Sequence, residues 1–166
     1  MTTNDVAEIG RTARDRHGNA TEDAPGGPWT ASGVDVVSIS RIADLLEEFD
    51  PSFAERAFTA AERAYCDRRV DPSQHYAARW AAKEAFYKTL ADPSPSIPAA
   101  EIEVRREPTG PRLELGPSAA TALADRLEAA GVDPDRTDRS VSLSHDRDRD
   151  VAVAQVVVVG ELEGSR

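Results

Sequence analysis

Apolar positions in this chain follow two rhythms. Alternating or continuous apolar runs at residues 31–39, 101–106, 112–115, 140–145 and 151–159 predict strands. Between the first two runs the spacing is helical. Ile42, Leu45, Leu46 and Phe49 define the apolar side of a short helix from Ser40 to Glu48, with Ser40 as its cap. Pro51 opens a second helical piece through Ala57. Thr59-x-x-Glu62 has the form of a capping box, in which the threonine hydroxyl and the glutamate carboxylate each satisfy a free backbone N–H; it predicts a helix toward Arg69. Asp71-Pro72-Ser73 ends that helix, and another runs from about Ser73 to Leu90. The loop DPSPSIP follows. EPTGP reads as the turn between strands 101–106 and 112–115, and Pro117-Ser118 starts an alanine-rich helix ending near Gly131. GVDPDRTDR reads as a polar connection, and HDRDRD as a turn between the last two strands.

Helices and strands do not alternate one for one, so an α+β fold is favoured over a doubly wound sheet. Residues 1–30 carry no period and end in Pro25-Gly26-Gly27-Pro28; they are expected to form a flexible extension. A single domain is expected over residues 31–160, with 161–166 a frayed tail.

Composition narrows the function classes. The chain has 166 residues, enough for one domain with a real core, and a net charge of −10. No strong basic stripe is present, which disfavours binding to a nucleic-acid backbone but leaves room for a local phosphate site. There is no apolar run long enough to span a bilayer, and the polar start MTTNDVAEIG lacks a signal-peptide core. The single Cys66 forms no intramolecular disulfide and suits a reducing compartment. A cytoplasmic location is expected, with no nucleic-acid or membrane partner.

The chemistry concentrates in AARWAAKEAFYK, residues 77–88. Glu84 and Lys88 are four apart and share a helical face. They could be an ordinary surface pair, or Glu84 could ligate a hard cation while Lys88 meets the phosphates around it. Mg²⁺ suits that set, since one or two carboxylates suffice when phosphates and waters complete its shell. Arg79 and Lys83 are also four apart, and their mutual repulsion hints at an anion nearby. Asp35 lies between Val34 and Val36, so strand alternation sends it to the opposite face. A carboxylate there needs a metal, a salt bridge or hydrogen bonds. His145 ends the apolar segment VSLSH and reads as a surface, core or site histidine; His75, at a helix start, reads as helix surface, with contact to a ligand from the rim as the alternative.

Taken together, Gly33-Val34-Asp35-Val36, Phe58-Thr59-Ala60-Ala61-Glu62, Ala78-Arg79-Trp80-Ala81-Ala82-Lys83-Glu84-Ala85 with Lys88, and Val141-Ser142-Leu143-Ser144-His145 resemble the holo-acyl-carrier-protein synthases. These are the small single-module 4′-phosphopantetheinyl transferases. The four blocks match in order and spacing from about residue 31 to 159, and WAAKEA with its following lysine is the most specific. The resemblance implies transfer of 4′-phosphopantetheine from coenzyme A to a serine of an apo acyl carrier protein. It implies Asp35 and Glu84 as ligands of Mg²⁺ and Asp35, Glu84 and Lys88 as catalytic residues. It also implies Arg79, Lys83, Lys88, Gly110, Pro111 and His145 around the coenzyme A phosphates and nucleotide. A homotrimer with sites between subunits and an acidic carrier docking through Arg41, with Arg56 and Arg63 as second choices, complete the expectation.

Two features depart from the family pattern. The turn Gly110-Pro111 lacks the basic residue usually found between them, with Arg112 following instead. Residues 41–69 hold five Arg against seven acids, so docking of an acidic carrier must rely on local placement. A non-catalytic coenzyme A-binding scaffold and another nucleotide-dependent phosphate-group transferase are the competing functions.

Overall fold

The computed structural model describes residues 28–49, 52–90 and 96–162. The fold is α+β. Strand β1, Trp29–Ser38, runs antiparallel to β5, Val151–Leu162, with Asp35 opposite Ala154. Strand β4, Val132–Asp146, flanks β5 on its other side, giving the order β1-β5-β4. Strands β2, Ile102–Glu107, and β3, Gly110–Leu115, form a separate hairpin. The helices are α1 (Ile39–Phe49), α2 (Ser52–Ala57), α3 (Ala60–Cys66), α4 (Pro72–Thr89) and α5 (Pro117–Ala129).

Helix α4 packs on one face of the three-stranded sheet, and its sequence explains how closely. Ala81, Ala82 and Ala85 are buried with Phe86 against Ala31, Ala154, Val156 and Val158. Small side chains let backbone approach backbone. At Gly33 the approach is at its limit, since a Cβ there would sit 1.9 Å from the Ala85 carbonyl oxygen. Period-two alternation then sends Val34 and Val36 to the opposite face, where they are 47% and 62% exposed.

The capping box forms as its sequence predicts. Thr59 Oγ1 accepts from the Glu62 N–H at 3.2 Å, and Glu62 Oε2 accepts from the Thr59 N–H at 3.0 Å. Glu62 does more: Oε1 accepts from the Val104 N–H at 2.9 Å, tying α3 to β2.

Several boundaries differ from expectation. The strand predicted over 31–39 starts at Trp29, whose buried ring joins the main core. Helix α1 starts at Ile39, with Ser38 rather than Ser40 as the capping side chain: Ser38 Oγ accepts from the Arg41 N–H at 3.1 Å, and Asp150 accepts from the Ser40 N–H at 2.7 Å. GVDPDRTDR is not a connection; from Val132 onward it belongs to β4, with an irregularity between Val132 and Thr137. As the edge strand of its sheet, β4 can turn Asp135, Arg136 and Asp138 to solvent. Residues 1–27 of the extension expected over 1–30, Pro51 and most of the DPSPSIP loop lie outside the described residues; of the tail expected over 161–166, Glu161 and Leu162 instead extend β5, and 163–166 lie outside the described residues.

Candidate active site

Asp35, Glu84 and Lys88 come together where β1 crosses α4. Lys88 Nζ donates to Asp35 Oδ1 at 2.9 Å and to the Val34 carbonyl at 2.7 Å. Glu84 precedes Lys88 by one helical turn. Burial, and then the Asp35 carboxylate, push the Glu84 carboxyl above the usual carboxylate range, while Lys88 pulls it back. The local balance is thus two carboxylates against one ammonium. A hard divalent cation would relieve that repulsion, and two carboxylates are enough for Mg²⁺ when phosphates supply further oxygens. The residues present therefore fit the ion. Among the described residues, no cluster of three or more His, Cys, Asp or Glu could hold a metal by protein ligands alone.

A second feature lies toward the other end of α4. A cavity of about 330 Å³ is lined by Arg69, His75, Arg79, Arg106, Pro111 and His145, among others. Among the described residues, no carboxylate lines it. Arg79 is 4% exposed, its guanidinium stacks 4.0 Å above the Tyr65 ring, and its Nη1 donates to the His75 carbonyl at 3.2 Å. Its buried Nε has no hydrogen-bond partner among the described residues. Arg69 also lies over the Tyr65 ring, at 4.1 Å. His75 and His145 meet edge to face with ring centroids 5.2 Å apart. At 1.5 Å rise per residue, Arg79 lies about 7.5 Å along the helix axis from Glu84, so one helix carries both features.

The expected site residues therefore divide. Asp35, Glu84 and Lys88 form one group; Arg79, Pro111 and His145 border the cavity. Gly110 opens β3 at φ +137, a conformation that favours glycine. Lys83 is a correction. It is fully buried, and its Nζ donates to Glu62 Oε2 at 2.8 Å, to the Ala99 carbonyl at 2.9 Å and to the Ile102 carbonyl at 2.6 Å. All three ammonium protons are spent inside the fold, leaving none for a phosphate. Arg112 sits 3.7 Å from Glu107 and does not line the cavity. Arg106, paired across the hairpin with Pro111, does.

The sequence reading missed Arg69, Arg106 and the paired position of His75. Only the cationic pair Arg79 and Lys83 hinted at an anion nearby. Of the expected docking residues, Arg41 is exposed on α1, Arg56 Nε donates to the Ser52 carbonyl at 3.1 Å, and Arg63 lies 3.6 Å from Glu55.

The profile of the ACPS family, described as the 4′-phosphopantetheinyl transferase superfamily, matches residues 31–153. The chain belongs to this family. It is 42% identical over 124 residues to a holo-[acyl-carrier-protein] synthase of Syntrophus aciditrophicus, covering 74% of this chain and 91% of that one. A holo-[acyl-carrier-protein] synthase of Myxococcus xanthus is 42% identical over 128 residues, covering 76% and 91%. Among solved structures, an ACPS–CoA complex of Chronobacterium ammoniagenes superposes with a TM-score of 0.64 at 30% identity, covering 80% of this chain and 98% of that one. The holo-[acyl-carrier-protein] synthase of Helicobacter pylori in complex with coenzyme A superposes with a TM-score of 0.58 at 27% identity, covering 76% and 98%.

Proposed function

We propose that this member of the family transfers the 4′-phosphopantetheine group of coenzyme A to a serine of an apo acyl carrier protein. The observation that carries the reading is the pairing, on one helix, of the Asp35–Glu84–Lys88 group with an acid-free cationic cavity. Membership among holo-acyl-carrier-protein synthases supports the same substrates.

The serine oxygen attacks the phosphorus bearing the pantetheine arm. The bond from that phosphorus to the bridging oxygen breaks, and adenosine 3′,5′-bisphosphate departs with the bond's electrons. The hydroxyl proton passes to Glu84 or to water. Asp35 and Glu84 would hold Mg²⁺, which when bound neutralises charge on the pyrophosphate oxygens. Lys88 is the mobile cation of the group: partly exposed on a flexible stem, it can turn from Asp35 toward the phosphoryl oxygens. Arg79 and His145 donate to the nucleotide phosphates, and the Gly110-Pro111 turn flanks them. Lys83 stays in its ion pair and orients α4 without touching substrate.

The acidic carrier would dock through Arg41, exposed on α1, with Arg56 and Arg63 secondary. A homotrimer with sites between subunits is part of the reading, supported by the apolar outer face of the sheet around Val34 and Val36. We place the activity in the cytoplasm, where coenzyme A meets its carriers; no helix among the described residues is long and apolar enough to cross a membrane. Intact-mass measurement of apo carriers after incubation with coenzyme A, Mg²⁺ and the protein tests the proposal. One phosphopantetheine should be added per carrier only when all components are present. No mass gain on any fatty-acid, polyketide or peptide-synthase carrier would refute it.

A further inference from the structure

His75 is held where its charge must respond to whatever fills the cavity. Its ring stands edge-on between two others, Tyr65 at 5.9 Å and 88° and His145 at 5.2 Å and 84°, so packing on both sides restrains it. Its own carbonyl accepts from Arg79, which fixes the guanidinium on the same turn of α4. The groups facing it are largely basic: Arg69 from the segment after α3, Arg79 on α4, His145 on β4, with Arg105 and Arg106 of β2 across the cavity. Arg105 is committed to Glu103 at 2.9 Å and Glu114 at 3.0 Å. Arg106 makes no ion pair among the described residues. Among the described residues the acid facing His75 is Asp71, and Arg147 engages it.

With the cavity empty, burial and then His145, Arg79 and Arg69 push His75 below the ordinary histidine range, so it stands neutral at pH 7. A phosphate dianion placed among these groups reverses the local field. Protonation then turns a ring with one N–H donor into one with two, each charge-assisted. Arg79 lines the cavity and its Nε is buried without a hydrogen-bond partner among the described residues, so an acceptor bound beside it would satisfy that N–H.

Resting on the transferase reading above, we propose that His75 takes up a proton as the 3′-phosphate of coenzyme A enters this cavity, making His75 a specificity residue for the phosphomonoester. The bound-state pKa lies above the free-state one. Protonated His75 therefore contributes affinity below the bound-state value, and this is lost as pH rises through it. A phosphomonoester with a second pKa near 6 is essentially dianionic from pH 7 upward, so ligand ionisation does not mimic the effect.

The experiment is calorimetry of coenzyme A and of 3′-dephospho-coenzyme A binding to the full chain, in buffers of different ionisation heat. Coenzyme A should bind with net proton uptake at pH 7, and its affinity should fall roughly threefold to tenfold between pH 7 and 8.5. Dephospho-coenzyme A should show neither effect. His75→Gln should abolish proton uptake, flatten the pH profile and leave dephospho-coenzyme A affinity within about twofold. Should that variant fold poorly, the imidazole resonance of His75 in the unaltered protein decides, since it must titrate at higher pH in the complex. Absence of proton uptake, equal uptake with both ligands, or an unchanged profile in His75→Gln would overturn the proposal and leave the transferase reading standing. No binding of coenzyme A at all would overturn both.

Discussion

Glu84 sets function against stability within a single side chain. Its carboxyl is raised by burial and by Asp35, so in metal-free protein the ionised form is disfavoured by the fold. The sign follows directly. Below the ordinary carboxylate range the group is protonated in both folded and unfolded states and has no effect. As pH rises through the raised value, the folded state must ionise it at a cost, and stability falls. Glu84→Gln keeps the shape and removes that charge. Thermal unfolding of the metal-free variant near neutral pH should show a melting temperature higher by roughly 1–3 °C. Turnover should fall by about a hundredfold or more, since a charged oxygen at the phosphoryl centre is lost. A variant both less stable and fully active would return Glu84 to an ordinary helix-surface role beside Lys88. Cys66 gives a useful contrast: burial raises its thiol to about 12, so it stays protonated and inert.

At the scale of elements, the architecture depends on two contacts that bring α4 to its neighbours. The first is the ion pair of Lys83 with Glu62, which are 0% and 1% exposed. It joins α3, α4 and the segment Ala99–Ile102 through hydrogen bonds that no solvent can replace. Lys83→Ala leaves a buried carboxylate without its partner, and denaturant unfolding should read a loss of about 3–5 kcal/mol. Where the variant remains folded at low temperature, coenzyme A affinity should be close to that of the unaltered protein, whereas a phosphate-binding lysine would have raised the Kd selectively. The second contact is Gly33 against Ala85. Gly33→Ala must push β1 off α4, with an expected loss of about 2–4 kcal/mol and separation of Asp35 from Lys88, read as lost stability together with lost activity. Sequence reading recovers elements of this kind unevenly. The capping box and α4 were legible because their signals are local: a T-x-x-E spacing and an uninterrupted alanine-rich run. The role of Lys83 was not, because its partner is 21 residues away on another helix. Nor was the first half of β4, whose charges read as loop until the edge of the sheet is known. The cationic cavity was partly legible through Arg79 and His145, while Arg69 and Arg106 join it only through the tertiary fold.

Across the whole molecule, the three-stranded sheet has one face under α4 and the other bare among the described residues. Antiparallel register places Val34, Val36, Val153 and Val157 on the bare side, flanked by Ser32, Gln155 and Ser142. Val34 and Val36 are exposed and Val153 and Val157 half-buried, and such an aliphatic face in a chain of net charge −10 suits association with copies of itself more than contact with an acidic carrier. That assignment divides the surface into two roles: the sheet face for the proposed trimer, and exposed Arg41 on α1 for the carrier. The two can be separated by experiment. Val36 is 62% exposed, so Val36→Glu adds a charge without disturbing the core, and the monomer should keep its circular dichroism and lose only about 0.5 kcal/mol of stability. Three copies of that carboxylate in an apolar interface would be desolvated and mutually repelled, and sedimentation velocity should show monomers. If sites form between subunits, carrier modification by the variant should fall steeply at low protein concentration and recover in part at high concentration. Arg41→Glu should behave otherwise, preserving the trimer and raising only the carrier KM. A Val36→Glu protein that sediments as a trimer would remove the sheet face from the assembly and require the valine strip to be explained by another contact.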